Sequence, residues 1–332
     1  MILKSTRKMA FVLSLMLIVS TAAALAQAKI YYAKEMTTED YKKLDRSKTA
    51  VFLCVSVLEE HGPYVPAYTD GYITERIISD VSAAMVRKGW SALVFPMIPV
   101  ASSACNEVPG KYPFPGSFTI RAYTFRSMLM DLVSEIGEAG FRWIFVGNDH
   151  GAPNHVRMLS QVCAYFNDTY SGGRMTVIGL SGASSNPEIS KLNEEAQALL
   201  SAEAKKEDAN GGHADIEETS LMLFLQPRLV DPGYIHASAQ SFMTALNKTD
   251  EWLGYFGSPR FSTTQFGALR YKVRSEQAIS LVLSALDGTA PKPQPLTPVD
   301  LDKIGPHNKK AIMRDEEIGR KQQEWLIKNG LK

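Results

Sequence analysis

The chain has 332 residues, of which 45% are hydrophobic and 21% charged, and its formal net charge is +1. This composition is typical of a globular protein, and the length allows one large α/β domain or two small ones. The near-zero charge, without a concentrated basic segment, argues against binding to nucleic acid or to an anionic membrane surface.

The first 28 residues have the pattern of a secretory signal peptide. Three basic residues precede the uncharged apolar run Met9–Leu25, and Ala26-Gln27-Ala28 supplies a small-residue cleavage pattern. The alternative is an uncleaved membrane anchor, because the apolar run is close to the minimum length for a membrane span. We expect cleavage without a stable anchor, a mature domain over residues 29–332, and a secreted or periplasmic location.

The chain contains three cysteines, Cys54, Cys105 and Cys163. An odd number at wide spacing is not a disulfide framework, and no pair has the spacing of a thiolate zinc site. An exported protein can still form a disulfide, so the pairing of these residues stays open. Cys54 lies in an apolar, strand-like run and is expected to be buried.

Strand-like and helix-like segments alternate along the chain. Buried strands are predicted at Thr49–Leu58, Ala92–Pro99, Trp143–Gly147 and Met175–Leu180. Helices are predicted at Gly71–Lys88, Ala122–Ala139, His155–Phe166, Lys191–Lys206 and Ile216–Leu225, with a last one from about Lys309. The alternation indicates a single α/β domain in which a mainly parallel sheet is covered by helices on both faces.

Polar residues follow the first and third of these strands. Glu59, His61 and Asp70 come after the first strand and His150 after the third, and ligands bind at the carboxyl ends of parallel strands. Imidazoles with carboxylates suit zinc, manganese or iron. Glu59 and His61 would point the same way on an extended segment, and Asp70 could return to bridge two metals. Alternatively, Asp70 caps the following helix.

A third polar cluster precedes the helix predicted at Ile216. One interpretation is electrostatic: Asp215 caps the helix, while Glu217 and Glu218 complement its dipole. In the other, His213 is a general acid and base beside a metal site that Glu218 completes. The spacing favours the first interpretation for Glu217 and leaves Glu218 open.

Four motifs in chain order resemble those of the creatininase (creatinine amidohydrolase) family. That family reads roughly E-x-H-G-P-H-L-P-x-x-T-D after its first strand, and the spacing from His61 to Asp70 is the same here. The other family motifs are F-P-G-T, N-G-H-G-G-N and H-A-G-x-x-E-T-S. The corresponding segments of this chain are Glu59–Asp70, Phe114–Ser117, Asn148–Asn154 and His213–Ser220.

The resemblance implies a three-layer α/β/α sandwich, often assembled into hexamers, with a centre of two divalent metals (zinc, manganese or iron). Position by position, it implies the metal ligands Glu59, His61, Asp70, His150 and Glu218, with Asp70 bridging. It also implies that His213 and Glu218 are catalytic, and that His213 carries a proton to the leaving nitrogen. The implied reaction is hydrolysis of a C–N bond in a small amide, cyclic amide or formamide by metal-activated water.

The chain also departs from the creatininase pattern. Gly151-Ala152 replaces a Tyr-Glu pair whose Glu is a metal ligand, and Ala209-Asn210 replaces a Trp-Asp pair that closes over creatinine. These changes argue against creatinine itself as the substrate. Asp149 replaces a glycine, and is interpreted either as a residue that orients an imidazole or as a polar turn residue.

Two alternatives on the same fold stay open. One is a peptidase-like member of the family, and the other is an exported protein that binds a metal or solute without catalysis. His213 argues against the second, because a binding protein has no need of an acid and base. The chain has no nucleophile elbow, dinucleotide-binding glycine motif or phosphate loop, which argues against serine hydrolysis and nucleotide binding.

Overall fold

The computed structural model describes residues 28–112, 114–179, 186–247, 251–290 and 306–331. Apart from residue 28, the predicted signal peptide lies outside these ranges. The strands are β1 Ile30–Tyr32, β2 Thr49–Cys54, β3 Ser91–Val94, β4 Trp143–Asn148 and β5 Arg174–Gly179. The α-helices are α1 Thr38–Lys42, α2 Thr69–Arg87, α3 Ala122–Glu138, α4 Pro153–Thr169, α5 Pro187–Ala198, α6 Ala202–Glu207, α7 Ile216–Leu225, α8 Phe242–Asn247, α9 Thr264–Leu286 and α10 Pro306–Lys328.

The five strands form one sheet in the order β1-β3-β2-β4-β5, and every neighbouring pair is parallel. After β2 the chain passes through α2 to β3 on one side of the sheet. After β4 it passes through α4 to β5 on the other side. The carboxyl ends of β2 and β4 therefore flank a topological switch point, where open α/β sheets place their ligand sites.

The residues of β2 alternate between two hydrophobic layers. Val51 and Leu53 belong to a core that includes buried side chains of α3 and α4. Phe52 points to the opposite face, where its core includes side chains of α2 and α9. The predicted α/β class, with a parallel sheet between two layers of helices, is confirmed.

The start of α2 corrects one expectation. The N-cap position is occupied by Tyr68, without a side-chain cap, and Asp70 lies inside the first turn. Asp70 is buried, and its carboxylate faces His61 and His150 instead of the free amides of the helix. The alternative interpretation, in which Asp70 caps this helix, is therefore wrong.

Three other boundaries also differ from the prediction. The single helix predicted over Lys191–Lys206 is two helices, α5 and α6, because the side chain of Ser201 accepts a hydrogen bond from the amide of Ala204 and starts a new helix. Strands β2 and β3 end four and five residues earlier than predicted. The chain beyond them leaves the sheet and forms the loops of the site.

The 23-residue helix α9 was not predicted from the sequence. Its buried face includes Arg270 and Ser275 beside apolar residues, so polar side chains interrupt the apolar periodicity that identifies a helix. The buried guanidinium is paired, since Arg270 bonds to Glu217. This helix also carries Arg274 to the candidate site.

Two further features of the described residues concern the thiols and the membrane. All three cysteines are free thiols, and Cys54 is buried as expected. No helix in the described part of the chain is long and apolar enough to span a bilayer.

Candidate metal centre

The six predicted site residues come together at the switch point between β2 and β4. Glu59 and His61 follow β2, Asp70 is in the first turn of α2, and His150 follows β4. From the other side of the site, the loop before α7 contributes His213, and the first turn of α7 contributes Glu218. Burial is nearly complete, with no more than 3% exposure for Glu59, His61, Asp70 and His150.

The two carboxylate oxygens of Asp70 face two different histidines. Asp70 Oδ1 lies 3.3 Å from His61 Nε2, which is also 3.6 Å from Glu218 Oε2. Asp70 Oδ2 lies 3.5 Å from His150 Nδ1, which is also 2.9 Å from Glu59 Oε2. The cluster thus divides into two half-sites, each with one histidine, one glutamate and one oxygen of the shared aspartate.

The donor atoms fit divalent metal ions. In each of three groups of side chains, the candidate ligand atoms lie within 4.8 Å of one another. His61 Nε2 and Asp70 Oδ2 are buried without a hydrogen-bond partner, although buried polar atoms are normally paired. Buried carboxylates and imidazoles become favourable when they coordinate a metal, and this N/O donor set suits zinc, manganese or iron.

The pKa values show that the cluster attracts positive charge. Burial opposes protonation of His61, but the nearby carboxylates, first of all Asp70, outweigh it and hold the pKa of His61 well above its usual range. The pKa of His150 is raised in the same way, mainly by Glu59. Burial raises the pKa of Glu218 to about 8. A bound cation would replace the protons that this surplus of carboxylates otherwise takes up.

His213 is held by a different carboxylate. Its Nε2 atom donates to the carbonyl oxygen of Glu60 at 2.6 Å and lies 2.9 Å from Glu60 Oε2. Burial opposes protonation, yet Glu59 and Glu60 raise the pKa of His213 to about 9. A carboxylate behind an imidazole fixes both the ring orientation and the tautomer.

The first turn of α7 combines both interpretations of its acidic run. Asp215 is the N-cap, and its Oδ1 accepts from the amides of Glu217 at 2.8 Å and Glu218 at 3.0 Å. Glu217 forms an ion pair with Arg270 at 2.8 Å. Glu218 turns the other way, toward the metal half-site of His61. Neighbouring glutamates therefore have different surroundings, which sequence spacing alone did not resolve.

Two strained backbone positions lie in the site. Among the described residues, Ser103 and Ala214 are the non-glycine residues with positive φ, at 67° and 48°. The carbonyl oxygen of Ser103 accepts from His150 Nε2 at 2.9 Å, and Ala214 follows His213. Left-handed backbone costs roughly 1–2 kcal/mol for a residue with a Cβ and tends to occur at functional sites.

Asp149 has a different role from either of the two expected. Among the described residues, its buried carboxylate has no hydrogen bond to an imidazole, and it forms an ion pair with Arg274. The same guanidinium lies 2.7 Å from Glu217 Oε1. Arg274 thereby connects Asp149, which precedes His150, to Glu217, which precedes Glu218. Sequence reasoning missed this arginine because it missed helix α9.

Asn148 also supports the site and was not predicted to do so. Its Nδ2 donates to the carbonyl oxygen of His150 at 2.8 Å, and its Oδ1 accepts from His155 Nε2 at 2.9 Å. The amide of Cys105 donates to the carboxylate of Glu59. The one feature of the sequence that could have identified Asn148 as a supporting residue is its position, since it is a polar residue at the end of a buried strand.

Four of the proposed ligands, Glu59, Asp70, His150 and Glu218, line a cavity of about 260 Å³. Among the described residues, its walls contain no lysine or arginine and include two aromatic rings, Phe242 and Phe256. Gly151 and Ala152 line the cavity without contributing a carboxylate, and Asn210 also lines it. The volume suits a small molecule.

Comparison with known families assigns the chain. The model of the creatininase family, described as creatinine amidohydrolase, matches residues 34–282, which is well over half of the sequence. The chain belongs to the creatininase family. No curated protein matches it.

Solved creatininase structures share the fold at low sequence identity. One named for manganese is 20% identical, with a TM-score of 0.55 over 76% of this chain and 97% of that chain. A variant of the Zn-Zn type has the same identity, TM-score and coverage. A Bacteroides fragilis protein, provisionally assigned as a creatinine amidohydrolase, is 21% identical, with a TM-score of 0.55 over 77% of this chain and 96% of that chain.

Proposed function

We propose that this creatininase-family protein is a metal-dependent amidohydrolase that cleaves a C–N bond of a small amide, cyclic amide or formamide. One observation carries the proposal: the two oxygens of Asp70 face two separate His/Glu pairs, as a carboxylate shared by two metals must. Family membership and the manganese and zinc in the names of similar structures support it. We propose two divalent ions per chain, although Ala152 replaces a family ligand, because each half-site keeps three donors.

The bound ions would supply a water of lowered pKa and polarise the carbonyl of the substrate. The side chains of the protein would then handle the protons. His213 Nε2 is hydrogen-bonded to the Glu60 carboxylate. The other ring nitrogen, Nδ1, would therefore carry the proton to the leaving nitrogen. Glu60 would stabilise the imidazolium formed in that step. Glu218 would complete the half-site of His61, where a bound ion would replace the proton that burial otherwise favours on this carboxyl group.

The cavity favours a small, uncharged or cationic substrate. Its walls carry Glu107 and Asp149, and in the described part of the chain they carry no basic side chain that could pair with a carboxylate. The Trp-Asp pair of creatininases is absent here, where Ala209-Asn210 stands instead. We therefore propose a substrate other than creatinine.

The first test is elemental analysis of the purified protein beside His61→Ala and Asp70→Ala. About two ions per chain are expected, because there are two half-sites; His61→Ala should lose one, and Asp70→Ala, which affects both, should lose most of the metal. His236→Ala is the matched control, since His236 is exposed and outside the cluster. Absence of metal from the parent under metal-replete conditions would refute the proposal.

A second experiment separates the catalytic alternatives. The metal-loaded protein is incubated with lactams, hydantoins, formamides and short peptides, and the ring-opened or cleaved products are measured by mass spectrometry. Hydrolysis of the small amides supports the proposal, and hydrolysis of peptides alone would favour a peptidase-like enzyme. Metal binding without any hydrolysis would favour a binding protein.

We also propose export and self-assembly. Export is proposed from the signal-peptide pattern over residues 1–28, and a homo-oligomer, specifically a hexamer, from the family resemblance. Intact mass of the protein from the periplasm or medium would reveal cleavage after residue 28. Light scattering would give the assembly size, and a monomer would contradict the proposed hexamer.

A further inference from the structure

The C-terminal helix α10 lies beyond the segment that matches the family, which ends at residue 282. It nevertheless reaches the candidate site, because Asn308 and Ala311 line the same cavity as the metal-ligand cluster. Ala311 is only 8% exposed, so the first turns of the helix are packed against the protein. The helix therefore forms part of the site although the family match does not include it.

Helix α10 is attached by a polar contact to the start of another helix. Asp315 Oδ2 accepts a hydrogen bond from the amide of Ala122 at 2.7 Å. Ala122 is the first residue of α3, whose own N-cap residue, Arg121, provides no side-chain cap. A carboxylate from α10 thus takes over the capping of α3.

Two further contacts hold the same part of α10. The Arg314 guanidinium lies 4.2 Å from the ring centroid of Tyr112, in the loop that also lines the cavity. Gly319 lies directly against Arg121, so that an added Cβ would be 2.4 Å from the guanidinium nitrogen. Close approach, stacking and capping together hold this part of the helix beside the cavity.

We propose that α10 is the outer wall of the active-site cavity and sets the size of the molecule that can enter. Asn308 and Ala311 are its two contributions to that wall. The clamp formed by Arg314 and Asp315 keeps the wall in place. The cavity is partly open to solvent, and with α10 in place it admits small amides and excludes extended chains such as peptides. This inference concerns access and does not depend on the reaction or on a bound metal.

Cys105 offers a reporter of access because it lines the cavity. Cys163 is first replaced by serine, and Cys54 is buried. Alkylation is followed by intact mass with a small reagent, iodoacetamide, and a large one with the same reactive group, N-(1-pyrenyl)iodoacetamide. Alkaline pH is used because burial raises the pKa of the Cys105 thiol. In the parent, the small reagent should modify the thiol and the large one should react far more slowly.

Releasing the clamp should remove this discrimination. In the double variant Arg314→Ala/Asp315→Ala, the rate with the pyrene reagent should rise about ten-fold, which corresponds to about 1.4 kcal/mol in the opening equilibrium. The rate with iodoacetamide should change little. Lys310→Ala is the control, since Lys310 is exposed on the same helix, and it should behave as the parent does.

If the double variant unfolds, Asn308→Ala tests the same proposal. This substitution widens the cavity and leaves Arg314 and Asp315 unchanged. It should increase the rate at which the pyrene reagent modifies Cys105 and leave the rate with iodoacetamide unchanged. The melting temperature should also stay unchanged. Equal rates for the large reagent in the parent, Asn308→Ala and the folded clamp variant would overturn the proposal. So would a parent that reacts with both reagents equally fast.

Discussion

His61 and His213 are neighbours with different partners. Their ring centroids are 4.4 Å apart, yet His61 faces Asp70 and Glu218 while His213 faces Glu60. His213 also lies with Glu59 and His61 in one of the three donor groups. We propose that His61 is a metal ligand and that His213, with its own carboxylate, carries a proton. Substitutions at the two positions should affect different properties of the protein.

His213→Gln should lower kcat by a factor of about 10²–10⁴, the usual contribution of a general acid or base, while the metal content stays at the parent level. Glu60→Gln should cause a smaller loss, because it weakens only the support of the ring. Rate measurements with the best substrate of the screen, alongside elemental analysis, check both effects. Loss of metal in His213→Gln would show that this histidine is a ligand instead.

Arg274 is predicted to be a positioning residue for both ligand loops. Arg274→Met leaves Asp149 and Glu217 without this buried partner, and removing one partner of a buried ion pair costs about 3–5 kcal/mol. We expect a lower melting temperature and weaker metal binding, with partial recovery of metal binding in Arg274→Lys. Arg228→Ala, at an exposed position, should change neither property. Normal metal affinity in a folded Arg274→Met protein would contradict the positioning role.

At the scale of elements, the contact of α10 with the loop before α3 contains two acidic residues. Burial, followed by the nearby charge of Asp315, raises the pKa of Glu107 to about 7. The ordinary pKa of glutamate in an unfolded chain is about 4.3. The folded state therefore binds more protons than the unfolded state between these values, so the contribution of Glu107 to stability falls as the pH rises.

Glu107→Gln should accordingly raise the melting temperature relative to the parent at pH 8 and lose most of this advantage at pH 4.5. The difference between the two proteins is the quantity to follow, because other buried carboxyl groups titrate in both. Thermal melts across this range measure it. A difference that is constant with pH would mean that Glu107 has the same pKa in the folded and unfolded states.

At the scale of the whole molecule, the proposed metal site joins distant parts of the chain. Its proposed ligands come from the loop after β2, the first turn of α2, the loop after β4 and the start of α7. A metal bound by all four segments must therefore stabilise the complete fold over the unfolded chain. The sheet supplies the rigid frame, since β2 and β4 are adjacent and buried.

Removing the metal with a chelator should lower the melting temperature of the whole domain in one transition. Free metal at 1,000 times its dissociation constant stabilises the folded state by about 4 kcal/mol. Asp70→Ala should show almost no response to the chelator, whereas His236→Ala should respond as the parent does. A parent protein whose melting temperature is the same with and without the chelator would contradict a metal that links these segments.

The sequence by itself determined the features that depend on neighbouring residues. Apolar runs such as Thr49–Cys54 identify buried strands because every side chain in them avoids water. The cap at Asp215 follows from its place before an apolar helix. The loops that hold Glu59, His61 and His150 were placed correctly because polar residues directly follow such strands.

Only the tertiary structure decided what depends on residues far apart in the chain. Asp70 can cap a helix or bridge two histidines, and the adjacency of β2 and β4 selects the second role. Helix α9 was missed because its buried arginines are satisfied by partners more than 50 residues away. The wall that α10 places over the cavity likewise rests on contacts with remote segments. Local sequence shows that a polar side chain needs a partner, whereas only the fold determines which partner it meets.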